Sequence, residues 1–398
     1  MRIAIASSGL GHVTRGIETW AADTAQALAE HGADVSLFSA GPVAGSATSP
    51  ARRRPRVISC LPRGGQAAQR LARLVPGPLW RWGLNSAYGW EQFSFWLRLW
   101  PRLRAGGYHI LHVQDPMLAY WCLRFRRAGL LGAREILGHG TEEPLWFLAR
   151  FPFVQQLAPW HLQTALQELR NQGREALALH WTAMPNFVDT ELFRPRQGAP
   201  SPLRRELGIP EQALVVGISA AVKKEHKRLD YFVKETAAWL QARESAGQGP
   251  AHVLIAGASH SQSAGIIAAA EALLPGRAHV LLDHPHQRMP QFYQALDLFV
   301  LTSLFEMMPI AVLEALACGL PVVCHQHPVL AWMNHAPQGG ACLDMSRPGA
   351  LAGFLSRLRP QWLAQTGAGA RARAEAAFAC KPVIAQYLAY YRRVLAAA

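Results

Sequence analysis

This sequence of 398 residues has no Cys-x-x-Cys pair. Its six cysteines, Cys60, Cys122, Cys318, Cys324, Cys342 and Cys380, are dispersed. They indicate neither a zinc site nor a disulfide framework, and a reducing cytoplasm fits them best. No uninterrupted apolar run reaches the length of a membrane span, because Asp297, Glu306 and Glu314 break the best candidate. The start, Met1-Arg2-Ile3-Ala4-Ile5-Ala6-Ser7-Ser8, turns polar too soon for a signal peptide. The glycines of Gly9-x-Gly11 do not complete a dinucleotide fingerprint, since Thr14 stands where its third glycine belongs. His284, His286, His325 and His327 have no carboxylate or thiol spacing that closes a metal site, so no metal is expected.

Acids are scarce: 26 Asp and Glu face 40 Lys and Arg, for a net charge of +14. Lysine is scarcer still, confined almost wholly to Lys223, Lys224, Lys227 and Lys234. The surplus is arginine. It points either to an anionic partner, such as a nucleoside diphosphate or a lipid headgroup, or simply to an arginine-rich genome. A nucleic-acid binder needs a basic groove or a stacking module, and none is recognisable, so no nucleic acid is expected.

What is present is apolar order. Half of the residues are hydrophobic, and the length exceeds one ordinary core, so two domains are expected. Arg2 to Ala6 reads as a strand, Ile17 to His31 as a helix and Ala33 to Ser39 as a strand, which is a βαβ start. A second alternating series begins at Leu214–Ile218 and runs through Val253–Gly257, Val280–Leu282, Leu298–Leu301 and Val322–Val323. Strands separated by helices in this way predict an α/β chain with mostly parallel sheets. Between them, Pro42 to Gly107 carries Arg52, Arg53, Arg54, Arg56, Arg63, Arg70 and Arg73, then Trp80, Trp82, Trp90, Trp96 and Trp100. Two readings stand: a membrane interface, with rings at headgroup level, or a pair of helices with buried aromatic residues.

The most informative stretch runs from Ser303 to Pro321. Leu298–Leu301 reads as a buried strand, Pro309 as the first turn of a helix, and Gly319 with Pro321 as its stop. Glu306 then lies in a loop at the carboxyl end of a strand, and Glu314 lies inside the following helix. Ligands of open α/β sheets bind at such ends, and a carboxylate there accepts hydrogen bonds from sugar or ribose hydroxyls. Lys223, Lys224 and Lys227 follow the first strand of the second series; they suit a diphosphate, or they form a solvated basic loop. His139 closes the strand-like Glu135-Ile136-Leu137-Gly138 and is either structural or catalytic.

The words around these residues resemble retaining glycosyltransferases of family 4. Phe305-Glu306, Pro309, Glu314-Ala315 and Cys318-Gly319-Leu320-Pro321-Val322-Val323 match that family's signature of two glutamates separated by seven residues. Gly16-Ile17-Glu18 resembles its first loop, and Pro185-Asn186-Phe187-Val188-Asp189 through Phe193-Arg194-Pro195 its domain junction. The resemblance implies a GT-B fold of two doubly wound Rossmann-like domains facing across a cleft. It implies an N-terminal acceptor-side domain over 1–195, a nucleotide-sugar domain over 196–378, and a C-terminal helix over 379–398 that returns to the first domain. It implies transfer of a sugar from a nucleotide diphosphate sugar to a glycan, lipid-linked or small-molecule acceptor, with retained configuration. It needs no metal.

By the same resemblance, Glu306, His139 and Lys227 are catalytic. Glu314, Met307, Met308, Pro309, Lys223, Lys224 and Gly16 bind the donor. Two positions depart from the pattern: Met307 stands where the family usually has Gly, and Val222 where it usually has Arg. Nucleotide-sugar epimerases share the architecture, but their motifs resemble this sequence less. The expected location is the cytoplasm, with the inner membrane face as a candidate peripheral site.

Overall fold

The central strands of this chain are short runs rich in Val, Ile, Leu and Ala, buried on both faces, which is what a parallel sheet covered by helices requires. A computed structural model describes residues 1–13, 16–42, 55–75, 82–198 and 200–397. The chain divides into two units, Met1–Asn186 with Lys381–Ala398, and Phe187–Cys380.

The sheet of the first unit contains β1 (Arg2–Ser7), β2 (Asp34–Ser39), β3 (Arg56–Val57), β4 (Ile110–Val113), β5 (Arg134–His139), β6 (Val154–Gln156) and β7 (Thr182–Ala183). All pairings are parallel, in the order β3-β2-β1-β4-β5-β6-β7. The strand order reverses between β1 and β4, where Ile3 pairs with Ile110. The last helix, Cys380–Ala396, belongs to this unit from Lys381 onward. It buries Val383, Ile384, Tyr387, Tyr390, Tyr391 and Val394. Its tyrosines find polar partners: Trp20 and Gln155 donate to the Tyr387 hydroxyl at 3.2 and 2.7 Å, and Tyr390 donates to the His180 carbonyl at 2.9 Å.

The sheet of the second unit contains β8 (Leu214–Ser219), β9 (Ala251–Gly257), β10 (Ala278–Leu282), β11 (Leu298–Leu301), β12 (Val322–His325) and β13 (Gly340–Leu343), in the order β10-β9-β8-β11-β12-β13. It too is parallel throughout and reverses at its centre, where β8 meets β11 through Val216 and Leu298. Residues 187–195 fall in this unit, earlier than the boundary expected after 195. The reason is local. The Val188 N–H donates to the Phe378 carbonyl at 2.9 Å and the Cys380 N–H to the Val188 carbonyl at 3.1 Å. Arg371 donates to the Thr190 and Phe193 carbonyls.

Within the aromatic half of the Arg- and Trp-rich stretch, Trp96 and the half-buried Trp100 take the buried-helix reading of the two. Helix Ala87–Ala105 fully buries Trp96, whose ring meets Phe125 at 5.3 Å. Trp100 packs on the same Phe125 and donates to the Leu130 carbonyl at 3.2 Å, and Trp90 meets Phe93 at 6.0 Å. Trp82 is the exposed exception at 47%. Trp80 and Arg52, Arg53 and Arg54 lie outside the described residues, as does Thr14. Among the described residues no helix is long and apolar enough to cross a membrane.

Candidate active site

In an open α/β sheet the crevice for a ligand opens where the strand order reverses, outside the carboxyl ends of the two central strands. In the second unit these are β8 and β11. The first opens into a loop ending at helix Leu229–Ser245, the second into a loop ending at helix Ile310–Ala317. Thr302 ties the two loops together, its hydroxyl donating to the Lys227 carbonyl at 2.7 Å. Lys227 in turn donates from Nζ to Glu306 Oε1. His226 donates from Nε2 to the Phe305 carbonyl at 2.8 Å and stands 3.6 Å from the same Glu306 oxygen. Glu306 is buried, so its charge is met by a cation rather than by water.

The loop that carries Lys227 is strained. His226 and Arg228 flank it with φ of 63° and 52°. Left-handed backbone at side-chain-bearing residues costs on the order of 1–3 kcal/mol each and persists where neighbours over-determine it. Here the Arg228 N–H donates to the Lys224 carbonyl at 2.8 Å, and the guanidinium donates to the Met345 carbonyl at 2.6 Å and covers the Tyr231 ring at 4.3 Å. Lys223 is half-buried and Lys224 exposed. Neither ammonium is ion-paired among the described residues. The Lys224 N–H instead donates to Gln262 at 2.9 Å. Val222, at the place of the family's arginine, is fully buried and serves the core.

Glu314 is held from two sides. Tyr293 donates its hydroxyl to Oε2 at 2.6 Å, and His286 Nε2 stands 3.7 Å from Oε1. Burial, and then the Glu314 charge, push the Tyr293 phenol well above its ordinary pKa, so it stays a donor. Pro309 sits immediately before the helix, with ψ of 119°, rather than inside its first turn. Met308 is buried. Met307 is not among the residues with left-handed backbone, so this loop accepts a side chain where the family has glycine. The Ser303 hydroxyl, fully buried beside this loop, makes no hydrogen bond.

The first unit has its own polar centre at the β1–β4 reversal. The Ser8 hydroxyl lies 2.9 Å from Asp115 Oδ1 and 3.0 Å from Glu91 Oε1. Tyr88 donates to Asp115 at 2.8 Å. Glu91 receives the Arg63 backbone N–H at 2.8 Å, the Arg63 guanidinium, and His12 Nε2 at 2.8 Å. Burial alone would raise the Glu91 pKa, yet Arg63 and His12 bring it below the ordinary value. Asp115 goes the other way, raised by full burial and by the nearby Glu18 charge. Arg63 is therefore an internal counter-ion, not a surface residue. The glycine requirement of this loop falls on Gly9 and Gly11. A Cβ at Gly9 would meet Glu18 Oε1 at 2.1 Å, and one at Gly11, whose φ is 104°, would meet Gly41 at 2.5 Å. A Cβ at Gly16 would meet nothing within 4 Å.

His139, also in the first unit, ends β5. Its Nδ1–H donates to Gln156 Oε1 at 2.7 Å, which leaves Nε2 as the lone-pair nitrogen, 3.9 Å from Glu143 Oε2. Burial lowers the His139 pKa, with Gln156 opposing, so the ring is neutral near pH 7. Burial raises Glu143, whose Oε1 accepts from the Thr141 hydroxyl at 2.5 Å. Neither His139 Nε2 nor Glu143 Oε2 makes a hydrogen bond. Among the described residues no group of His, Cys, Asp and Glu is placed to hold a metal ion.

Of the residues that sequence reasoning singled out, the structure brings Glu306 and Lys227 together and places Glu314 on the helix that follows. That reasoning gave no site role to Tyr293, His286 and His226 around them, or to Glu91, Arg63 and His12 in the first unit. Only the order His226-Lys227 beside a strand end carried a signal for any of these.

Residues 14–192 match the model of Glycosyltransferase Family 4, and residues 201–359 that of glycosyl transferases group 1. D-inositol 3-phosphate glycosyltransferase of Salinispora arenicola is 30% identical over 181 residues, 44% of this chain and 40% of the relative. The enzyme of the same name from Acidothermus cellulolyticus is 28% identical over 184 residues, covering 44% and 39%. The chain thus spans about two fifths of the length of the curated relatives it matches. Sucrose-phosphate synthase from Thermosynechococcus elongatus superposes over 100% of both chains with a TM-score of 0.75 at 18% identity. Anabaena HepE, solved in complex with UDP-glucose, superposes over 98% of this chain and 99% of its own with a TM-score of 0.72 at 15% identity. These likenesses give the fold, GT-B, with two doubly wound α/β domains.

Proposed function

Because this chain belongs to the glycosyltransferases of group 1 and family 4, we propose that it moves a sugar from a nucleoside diphosphate sugar to an acceptor hydroxyl with retained anomeric configuration. The observation that carries this reading is the Lys227–Glu306 pair at the β8–β11 reversal, with Glu314 on the helix that follows. Glu314, oriented by Tyr293, accepts from ribose hydroxyls. Glu306 accepts from hydroxyls of the transferred sugar. Lys227, with Lys223 and Lys224, meets the diphosphate charge as the glycosidic bond breaks, and a compact ammonium suits that task without a metal. The departing phosphate oxygen takes the proton of the acceptor hydroxyl, which attacks from the same face. Neutral His139 offers a lone pair at Nε2 to a sugar hydroxyl.

Donor and acceptor are tested together. UDP and UDP-glucose are the first probes, since HepE was solved with UDP-glucose. A specific ligand at a hundred times its Kd raises stability by about 2.7 kcal/mol. The expected result is a raised Tm with a nucleoside diphosphate and little change with the free nucleoside. Product anomers read by NMR must keep the donor configuration, and EDTA must leave turnover unchanged. Polynucleotide raising Tm while no nucleoside diphosphate does so overturns the reading.

The same reading takes a lipid-linked or glycan acceptor and a cytoplasmic enzyme resting on the anionic inner membrane face. Exposed Arg56, Arg70, Arg73, Arg98, Arg102 and Arg104 support it.

A further inference from the structure

Cys324 and Cys342 sit opposite each other in the parallel pairing of β12 with β13. In-register neighbours of a parallel pair project their side chains from the same face of the sheet. Their sulfurs are 3.8 Å apart. Adjacent strands stand about 4.7–4.9 Å apart, within the usual Cα separation of about 4.4–6.8 Å across a disulfide. A disulfide holds its Cβ atoms about 3.5–4.5 Å apart, so the bond needs both side chains to turn and the two strands to draw slightly together. We propose that Cys324 and Cys342 form an oxidisable thiol pair, which a thiol–disulfide oxidant such as glutathione disulfide converts to an intramolecular disulfide between β12 and β13.

The two thiols are not equivalent. Cys342 is half-buried and Cys324 fully buried. The hydrogen bond from Cys324 draws the Cys342 pKa down to about 7 against the effect of burial, and the same contact together with burial pushes Cys324 well up. Asn334 adds a donor 3.8 Å from the Cys324 sulfur. Cys342 is thus the attacking thiolate and Cys324 the resolving thiol, since the thiolate is the nucleophile. Cys342 attacks one sulfur of the oxidant, forming a mixed disulfide and releasing one glutathione thiolate. Cys324 then gives up its proton and attacks the Cys342 sulfur, releasing the second glutathione. Two protein thiols are oxidised and one glutathione disulfide is reduced to two glutathiones. At Cys60, Cys122 and Cys318 burial works against reaction. It pushes Cys60 up to about 12 and lifts Cys122 and Cys318 likewise.

The bond would fasten the last two strands of this sheet beside the Lys227 loop. The Met345 N–H, just past β13, donates to His325 Nδ1 at the end of β12, and the Met345 carbonyl receives Arg228.

The test uses the full chain, reduced, desalted and equilibrated with glutathione disulfide at pH 7.5 without urea. Remaining thiols are then blocked with N-ethylmaleimide and the peptides mapped by mass. The expected result is a Cys324–Cys342 linked peptide, two fewer blocked thiols than in the reduced protein, and full reversal by dithiothreitol. Cys324→Ser should instead hold one glutathione on Cys342, and Cys342→Ser should leave Cys324 a thiol. Both residues remaining thiols in excess oxidant, or a link from either to another cysteine, overturns the proposal. Neither outcome touches the glycosyltransferase reading.

Discussion

Lys227 donates a hydrogen bond from its ammonium to Oε1 of Glu306, across 79 positions of sequence. The two groups expected to serve diphosphate and sugar are therefore one ion pair, placed by neighbouring loops of one sheet. Removing Lys227 leaves the Glu306 carboxylate buried and unmatched, which costs more than the pair contributes.

Lys227→Ala should therefore weaken nucleoside diphosphate binding by about 1.5–3 kcal/mol, the range of a charge-assisted hydrogen bond, while free nucleoside binds nearly as before. Glu306→Gln keeps the shape and removes the charge, so its loss should fall on kcat. Isothermal titration and turnover on both variants check this. If Lys224→Ala reproduces the diphosphate loss and Lys227→Ala does not, the phosphate residue has been misplaced.

Glu314→Gln should act on nucleotide affinity rather than turnover, by about tenfold or more, since ribose hydroxyls lose a charged acceptor. Tyr293→Phe separates orientation from charge. It deletes the 2.6 Å bond to Oε2 but keeps the carboxylate, so a smaller loss of affinity with an unchanged kcat is expected. Affinity unchanged in both variants defeats the ribose assignment.

Parallel sheets were legible in the sequence because each central strand is a continuous apolar run, as in Leu298–Leu301, bounded by polar loops. Glu306 and Glu314 were legible because both lie within one strand–loop–helix segment. Partners brought from afar were not. Arg63 meets Glu91 over 28 positions, Ser8 meets Asp115 over 107, and His112 meets Tyr391 over 279. Nothing local marks such contacts, because topology creates them. The tryptophans left two readings open for a related reason: the spacing that suits a membrane interface also suits a helix buried against its neighbour, and only the tertiary contact at Phe125 decides for Trp96 and Trp100.

The burial of His112 sets a pH dependence. Full burial lowers the His112 pKa to about 3, with Gln155 opposing, so the folded protein holds the ring neutral. The unfolded chain takes up that proton near its ordinary value of about 6.5. The contribution is complete well above pH 6.5 and is lost as pH falls through that value towards 3, at a slope approaching about 1.36 kcal/mol per pH unit. His139 shifts in the same direction, while Asp115 and Glu143 shift oppositely. A difference between proteins isolates the effect. Between pH 6.5 and 5.0, urea unfolding of the wild type should lose about 1.6 kcal/mol more than that of His112→Gln. Equal slopes would show that His112 takes up its proton in the folded state.

The exposed arginines carry the last prediction. Across residues 55–75 and 82–105 the one acid is Glu91, and it is buried. Helix Gln66–Leu74 presents Arg70 and Arg73 with Leu74, which is 77% exposed. Arg98 reaches the Ser59 carbonyl at 3.1 Å, beside exposed Arg56 and Val57. Each basic residue near an anionic bilayer contributes about 1 kcal/mol, within a Debye length of about 8 Å at physiological salt. Several together give reversible attachment with no need for Trp96 and Trp100, which pack on the core. Sedimentation with anionic vesicles should be strong at low salt and fall at high salt. Arg70→Glu, Arg73→Glu and Arg102→Glu combined should abolish it and leave turnover on a soluble acceptor unchanged. If the wild type stays in the supernatant at low salt, or pellets equally with neutral vesicles, these arginines only solvate the first unit and the acceptor is soluble.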